Sequence, residues 1–217
     1  MPLNWPPGVP TLPIKPATIA AADIVTPVWK RPLSFHEGGV AKFWGPMECS
    51  KTRAMIAVMY RLLNTHFYSG DRVFSNCWLD VPGAHWLRND ELKKVLRRAF
   101  NTEAGAGRWN KCIFLIMETD DLYSHLTQSD GECFQDLKKA SQSLKRNIFL
   151  MYEVHEGRGV AKFLRDKTEI SIRPLFDEKK DHLDLYVCNG AYDTISIIPV
   201  DGISRVNGRY KRFEELY

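Results

Sequence analysis

Short apolar runs alternate with longer amphipathic stretches along most of this chain beyond residue 33. Val40–Trp44 (V-A-K-F-W), Lys111–Met117 (K-C-I-F-L-I-M) and Asn147–Tyr152 (N-I-F-L-M-Y) are short and bounded by polar residues. Such runs predict strands buried on both faces. Between them the period lengthens. Arg53–Thr65 carries Met55, Ile56, Val58, Met59, Leu62 and Leu63, which predicts a helix with broad apolar faces. Asp90–Ala99 opens with helix-start chemistry, and Gly131–Leu144 places Phe134, Leu137, Ala140 and Leu144 on one stripe. Val160–Leu164 predicts a short helix, and Arg72–Leu79, Thr168–Ile172, Leu183–Val187 and Thr194–Pro199 predict further strands. Strands alternating with helices predict an α/β sheet covered on both faces.

Residues 1–33 follow neither period. They hold eight of the twelve prolines: Pro2, Pro6, Pro7, Pro10, Pro13, Pro16, Pro27 and Pro32. Such a segment makes no continuous helix and no inner strand. It is expected to be an arm, 1–33, preceding a domain over 34–217. Trp5, Leu12, Ile14 and Trp29 give that arm apolar points of attachment.

Composition narrows the picture. With 217 residues, 44% of them hydrophobic, the chain can bury a core without a staple. The five cysteines are odd in number and form no C-x-x-C pair, which predicts reduced thiols, with Cys112 in the core. A net charge of +4 and a pI of about 8.7 permit a nucleic-acid partner without requiring one. No apolar run approaches the roughly 18 residues of a membrane span, and the N-terminus lacks a signal-peptide pattern. The expectation is a soluble intracellular protein.

The chemistry is concentrated after the first apolar strand. Gly45-Pro46-Met47-Glu48-Cys49-Ser50-Lys51-Thr52 matches G-x-x-x-x-G-K-[ST] at all but Ser50. In that loop backbone N–H groups surround phosphate oxygens, the lysine reaches the β- and γ-phosphates and the last hydroxyl holds Mg²⁺. Glycine at the sixth place permits φ > 0 and close approach of backbone to phosphate. A strand–turn–helix corner with an exposed lysine is the plainer alternative. The second apolar strand runs into Met117-Glu118-Thr119-Asp120-Asp121. A carboxylate there orients water, and one beside it supports the metal. Glu118 stands at the first of these places, Met117 where the metal-supporting Asp is wanted, and Asp120 or Asp121 one turn further on. Acids at this point also suit a helix N-terminus.

Over roughly residues 38–200 the order of parts resembles the small viral packaging ATPases and the N-terminal domain of zonula-occludens-toxin-like phage proteins, within the FtsK–HerA group. Arg72-Val73-Phe74-Ser75-Asn76-Cys77-Trp78-Leu79-Asp80-Val81-Pro82 is similar to the family's second strand, and Asn89-Asp90-Glu91-Leu92 to a following helix start. Gln142–Arg146 resembles its basic stretch, Arg165 the arginine of a later helix, and Tyr192-Asp193-Thr194 a late motif. The resemblance implies a three-layer P-loop NTPase fold, RecA/FtsK-like, with a central mostly parallel sheet. It implies ATP and Mg²⁺ as cofactors, with Gly45, Pro46, Met47, Glu48, Cys49, Ser50, Lys51, Thr52 and Arg53 about the nucleotide. Thr52, Glu118 and Asp120 would attend the metal, and Lys51, Glu118 and Arg165 catalysis. Arg158 or Arg165 would act across a subunit boundary, which implies a homo-oligomeric ring. Double-stranded DNA, a viral capsid or portal vertex, and the host cytoplasm or virion complete what it implies.

Ser50, Met117 and the absence of a glutamine after Tyr152 depart from the family pattern; Glu153-Val154-His155 stands there instead, with His155 as a substitute phosphate sensor. The basic run Lys93, Lys94, Arg97 and Arg98 is either a solvated helix face or a contact to DNA phosphates. Two other readings stay open. One is a non-catalytic assembly or morphogenesis protein on a degenerate fold. The other is a nucleoside kinase, since Gly-Pro-Met before the lysine is also similar to thymidine kinase.

Overall fold

The computed structural model describes residues 27–29, 38–46, 49–101, 109–124, 126, 130–155, 159–188, 194–208 and 210–211. The strands in chain order are β1 (Val28–Trp29), β2 (Gly39–Gly45), β3 (Val73–Ser75), β4 (Trp78–Leu79), β5 (His85–Trp86), β6 (Ile113–Ile116), β7 (Phe149–His155), β8 (Ile170–Asp177), β9 (His182–Cys188), β10 (Thr194–Asp201) and β11 (Tyr210–Lys211). The α-helices are α1 (Lys51–Leu63), α2 (Asn89–Asn101), α3 (Thr119–Leu122), α4 (Asp130–Leu137), α5 (Ser143–Arg146) and α6 (Lys162–Lys167).

The main sheet has the order β1-β10-β9-β8-β2-β7-β6-β3-β5. From β8 to β5 every pairing is parallel, as short buried strands joined by helices require. Beyond β8 the chain turns to hairpins, and β9, β10 and β1 extend the sheet antiparallel. Of the proline-rich stretch only residues 27–29 are described; Val28 and Trp29 pair with Val200 and Asp201 at the sheet edge. The rest of the expected arm lies outside the described residues.

Strand parity divides the core in two. Ile113, Leu115, Phe149 and Met151 face α1, together with Ala41 and Phe43. Phe114, Ile116, Leu150 and Tyr152 face the opposite layer, which holds α2, α4 and α6. These are the three layers expected. That second layer is tied by Asp136, which is fully buried: Arg97 Nε donates to it at 2.6 Å and the Tyr123 hydroxyl at 2.8 Å. Burial and the neighbouring carboxylate push the Tyr123 phenol far above its ordinary value.

Two elements differ from the sequence expectation. Arg72–Leu79 is not one strand. It is a 3-10 turn, β3, and then β4, which leaves the main sheet to pair with β11. The break falls where Ser75 Oγ accepts the Cys77 backbone N–H at 3.1 Å and closes a local turn. Gly131–Leu144 is not one helix either. α4 ends at Leu137, and a 3-10 turn over Ala140–Gln142 leads into α5. The basic run on α2 is largely charge-balanced: Lys93 pairs with Glu132 at 2.9 Å, Lys94 with Asp90 at 3.8 Å and Arg97 with Asp136 at 2.6 Å. Arg98, the fourth member of the run, is exposed.

Candidate active site

β2 delivers the chain to the site at Gly45, whose φ is +145°. A Cβ there would lie 2.7 Å from Cys49 Sγ, so the position requires glycine. Met47 and Glu48 lie outside the described residues. The loop then meets α1 through Ser50, which adopts the left-handed conformation at φ 63° and ψ 34°. The motif's demand for positive φ at this place is thus met by a serine. Such a conformation costs a non-glycine residue about 1–2 kcal/mol.

Lys51 opens α1 and is 3% exposed. Its ammonium donates to the carbonyl oxygens of Gly45 at 3.1 Å and Pro46 at 2.7 Å, and lies 4.0 Å from Cys49 Sγ. The amine is therefore held against the loop backbone at Gly45 and Pro46. Helix α1 carries no acid in its first turn. The helix's positive end and the Lys51 ammonium concentrate positive charge at this loop. Burial raises the Cys49 thiol above its ordinary value, with the Lys51 charge opposing, so it is protonated at neutral pH. Arg53, on the first turn of α1, lies with its guanidinium 5.1 Å from the centre of the Phe176 ring of β8.

Thr52 Oγ1 donates to Glu153 Oε2 at 2.8 Å. The other oxygen, Glu153 Oε1, accepts the backbone N–H of Glu118 at 3.0 Å. One buried carboxylate, 1% exposed, thus bridges α1 and the end of β6. Asn76, just after β3, closes the same end. Its Oδ1 accepts the Met117 N–H at 2.7 Å and its Nδ2 donates to Met117 O at 2.8 Å. Between these two clamps Glu118 also adopts a left-handed conformation, φ 51° and ψ 54°. Strained backbone of this kind persists where the surroundings over-determine it.

The other expected residues fall around this centre. Asp120 and Asp121 lie on the first turn of α3, and the Met117 side chain packs into the α1-side core at 3% exposure. His155 ends β7 directly across from Gly45. Arg165 is exposed on α6, remote from the loop in sequence. Arg158, Tyr192 and Asp193 lie outside the described residues. The sequence reading missed Glu153 and Asn76. A signal for Glu153 was present: it continues the Phe149, Met151 alternation on the α1 face, and a carboxylate there is out of keeping with an apolar strand. Asn76 lay inside the family-like strand motif, with nothing to say that its side chain would bind another strand.

A loop and helix after the central strand, with a further parallel strand between the loop strand and the acidic strand, make this the α/β fold of the P-loop NTPases, of the RecA/FtsK-like kind. Solved structures of that fold resemble it. The N-terminal domain of zonular occludens toxin from Neisseria meningitidis matches with a TM-score of 0.53 and 14% identity, covering 80% of this chain and 98% of that one. The genome packaging NTPase B204 from Sulfolobus turreted icosahedral virus 2, in complex with sulfate, matches with a TM-score of 0.53 and 10% identity, covering 75% and 96%. The same NTPase in complex with ATP-gammaS matches with a TM-score of 0.52 and 9% identity, covering 75% and 98%. No protein-family model and no curated protein matches the sequence.

Proposed function

We propose that this protein binds ATP with Mg²⁺ at Gly45–Thr52 and hydrolyses it to move double-stranded DNA in viral genome packaging, as a homo-oligomeric ring. The observation that carries the nucleotide reading is the loop itself. Ser50 takes the left-handed conformation that the motif needs, Lys51 is buried within the loop, and Thr52 is bonded to a buried carboxylate. The likeness in fold to a viral genome packaging NTPase supports the DNA reading. The residues present fit a magnesium ion, which favours oxygen ligands and few protein groups: Thr52 offers a hydroxyl beside a carboxylate.

In this reading Lys51 leaves the Gly45 and Pro46 carbonyls for the phosphates, and the α1 N–H groups hold their oxygens. Bound Mg²⁺ would neutralise charge on the phosphates. Glu118, its own N–H held by Glu153 and the preceding Met117 held by Asn76, orients water and accepts its proton. Arg165, exposed on α6, reaches a neighbouring subunit's site, where a guanidinium stabilises charge on the transferring group. Viral capsid or portal contacts belong to the same proposal.

ATP hydrolysis with and without double-stranded DNA tests it. Wild type is expected to hydrolyse ATP faster with DNA. Lys51→Ala is expected to lose ATP binding, and Glu118→Gln to bind ATP but hydrolyse it on the order of 10²-fold more slowly. A wild-type protein that binds no ATP, and behaves as Lys51→Ala does, sinks the proposal. The burial of Met117 where a metal-supporting acid is wanted favours a second reading, an assembly protein that binds ATP without turnover. Bound ATP with no hydrolysis in wild type, unchanged by Glu118→Gln, selects that reading.

A further inference from the structure

The geometry points to Glu153 as the carboxylate that supports the divalent cation, displaced by one strand from the place the motif assigns to it. This rests on the nucleotide reading above and names the residue on which its metal dependence turns. The register carries the argument. Ile116, the last residue of β6, pairs with Tyr152 on β7, so the residues that follow, Met117 just past the end of β6 and Glu153 on β7, come next in the same register. By parity both belong to the face packed on α1. The acid missing at 117 is therefore present at the same height, one strand nearer the loop.

That move shortens the distance to be spanned. β7 pairs directly with β2, whereas β6 pairs with β7 and not with β2. A carboxylate on β6 must act across an intervening strand, and strands are spaced about 4.8 Å apart. From β7, Glu153 reaches the Thr52 hydroxyl directly, at 2.8 Å. Thr52 is the residue whose hydroxyl would ligate the metal. An acid bonded to that hydroxyl is placed to hold the metal's remaining ligands and to orient the threonine.

The surroundings of Glu153 also call for positive charge. The side chain is 1% exposed, and its two hydrogen bonds come from neutral donors, the Thr52 hydroxyl and the Glu118 N–H. Among the described residues no lysine, arginine or histidine forms an ion pair with it. Buried charges are ordinarily paired or coordinate metals. The same carboxylate fixes the Glu118 backbone, so metal support and the placing of the water-orienting acid meet in one side chain.

The test measures the affinity of the full chain for a fluorescent ATP analogue, in EDTA and in MgCl₂, by anisotropy. Thermal unfolding of each variant is followed alongside. Wild type is expected to bind more tightly with Mg²⁺. Glu153→Gln is expected to bind as wild type in EDTA but to lose on the order of 10–100-fold of the Mg²⁺-dependent gain. Glu153→Asp, with its charge retained on a shorter arm, is expected to fall between. If Glu153→Gln does not fold, Glu153→Asp against wild type decides by the same criterion. A full Mg²⁺ gain in Glu153→Gln overturns the inference, as does an equal loss in EDTA and Mg²⁺, which makes Glu153 a structural brace only. A wild type that binds no analogue in either buffer overturns the nucleotide reading itself, and this inference with it.

Discussion

Ser50 shows how one residue can keep a motif's geometry while losing its usual amino acid. The loop needs positive φ before Lys51, and serine supplies it at φ 63°. No side-chain cap bond from Ser50 offsets the strain. Ser50→Gly is therefore expected to raise stability by about 0.5–1 kcal/mol, the left-handed penalty less the added freedom of glycine in the unfolded chain. It should also tighten ATP binding by removing a Cβ from the phosphate cradle. Urea unfolding and ATP titration check both effects. Unchanged or lowered stability would show that serine is comfortable there. Gly45 is the contrasting case, since Cys49 Sγ already fills the space that any side chain would enter.

At the scale of elements, the antiparallel extension carries a pH-dependent fastening. His182 at the start of β9 stands opposite Asp201 on β10 and bonds to it through Nδ1, while Nε2 bonds to Asp184 at 3.1 Å. The hydrogen bond to Asp201 raises the imidazole above its ordinary 6.5, with Asp184 adding to the effect and partial burial opposing it. The folded state thus holds this proton more tightly than the unfolded chain. The resulting stability is fully present below about pH 6.5 and is lost as pH rises through the folded-state value. The fall in melting temperature caused by His182→Gln is expected to be larger near pH 5.5 than near pH 8.5. An equal fall at both would assign His182 a packing role alone.

At the scale of the whole molecule the question is whether one chain completes the site. Arg165 is exposed on α6, on the layer opposite α1. Such a placement suits a residue that serves a neighbour in a ring. Lys51→Ala and Arg165→Ala are each expected to hydrolyse ATP poorly. An equal mixture should recover about a quarter of wild-type activity, because one interface in four then joins an intact loop to an intact arginine. Native mass spectrometry confirms that the subunits exchange. Exchange without recovery would place Arg165 outside catalysis or within its own subunit's site.

The apolar runs determined most of the parallel sheet, because a strand buried on both faces cannot hide its composition. The strand–loop–helix around Lys51 was likewise readable, since its chemistry lies within a few consecutive residues. Tertiary structure alone decided what joined distant segments. Glu153 reached Thr52 across 101 residues, and Asn76 reached Met117 across 41. It also decided that residues 72–79 would break after β3 and that β9, β10 and β1 would run antiparallel. The physical reason is one of range. Periodicity and loop chemistry act between near neighbours in the chain. Strand order and register place a carboxylate beside a hydroxyl, and those follow from how the layers pack.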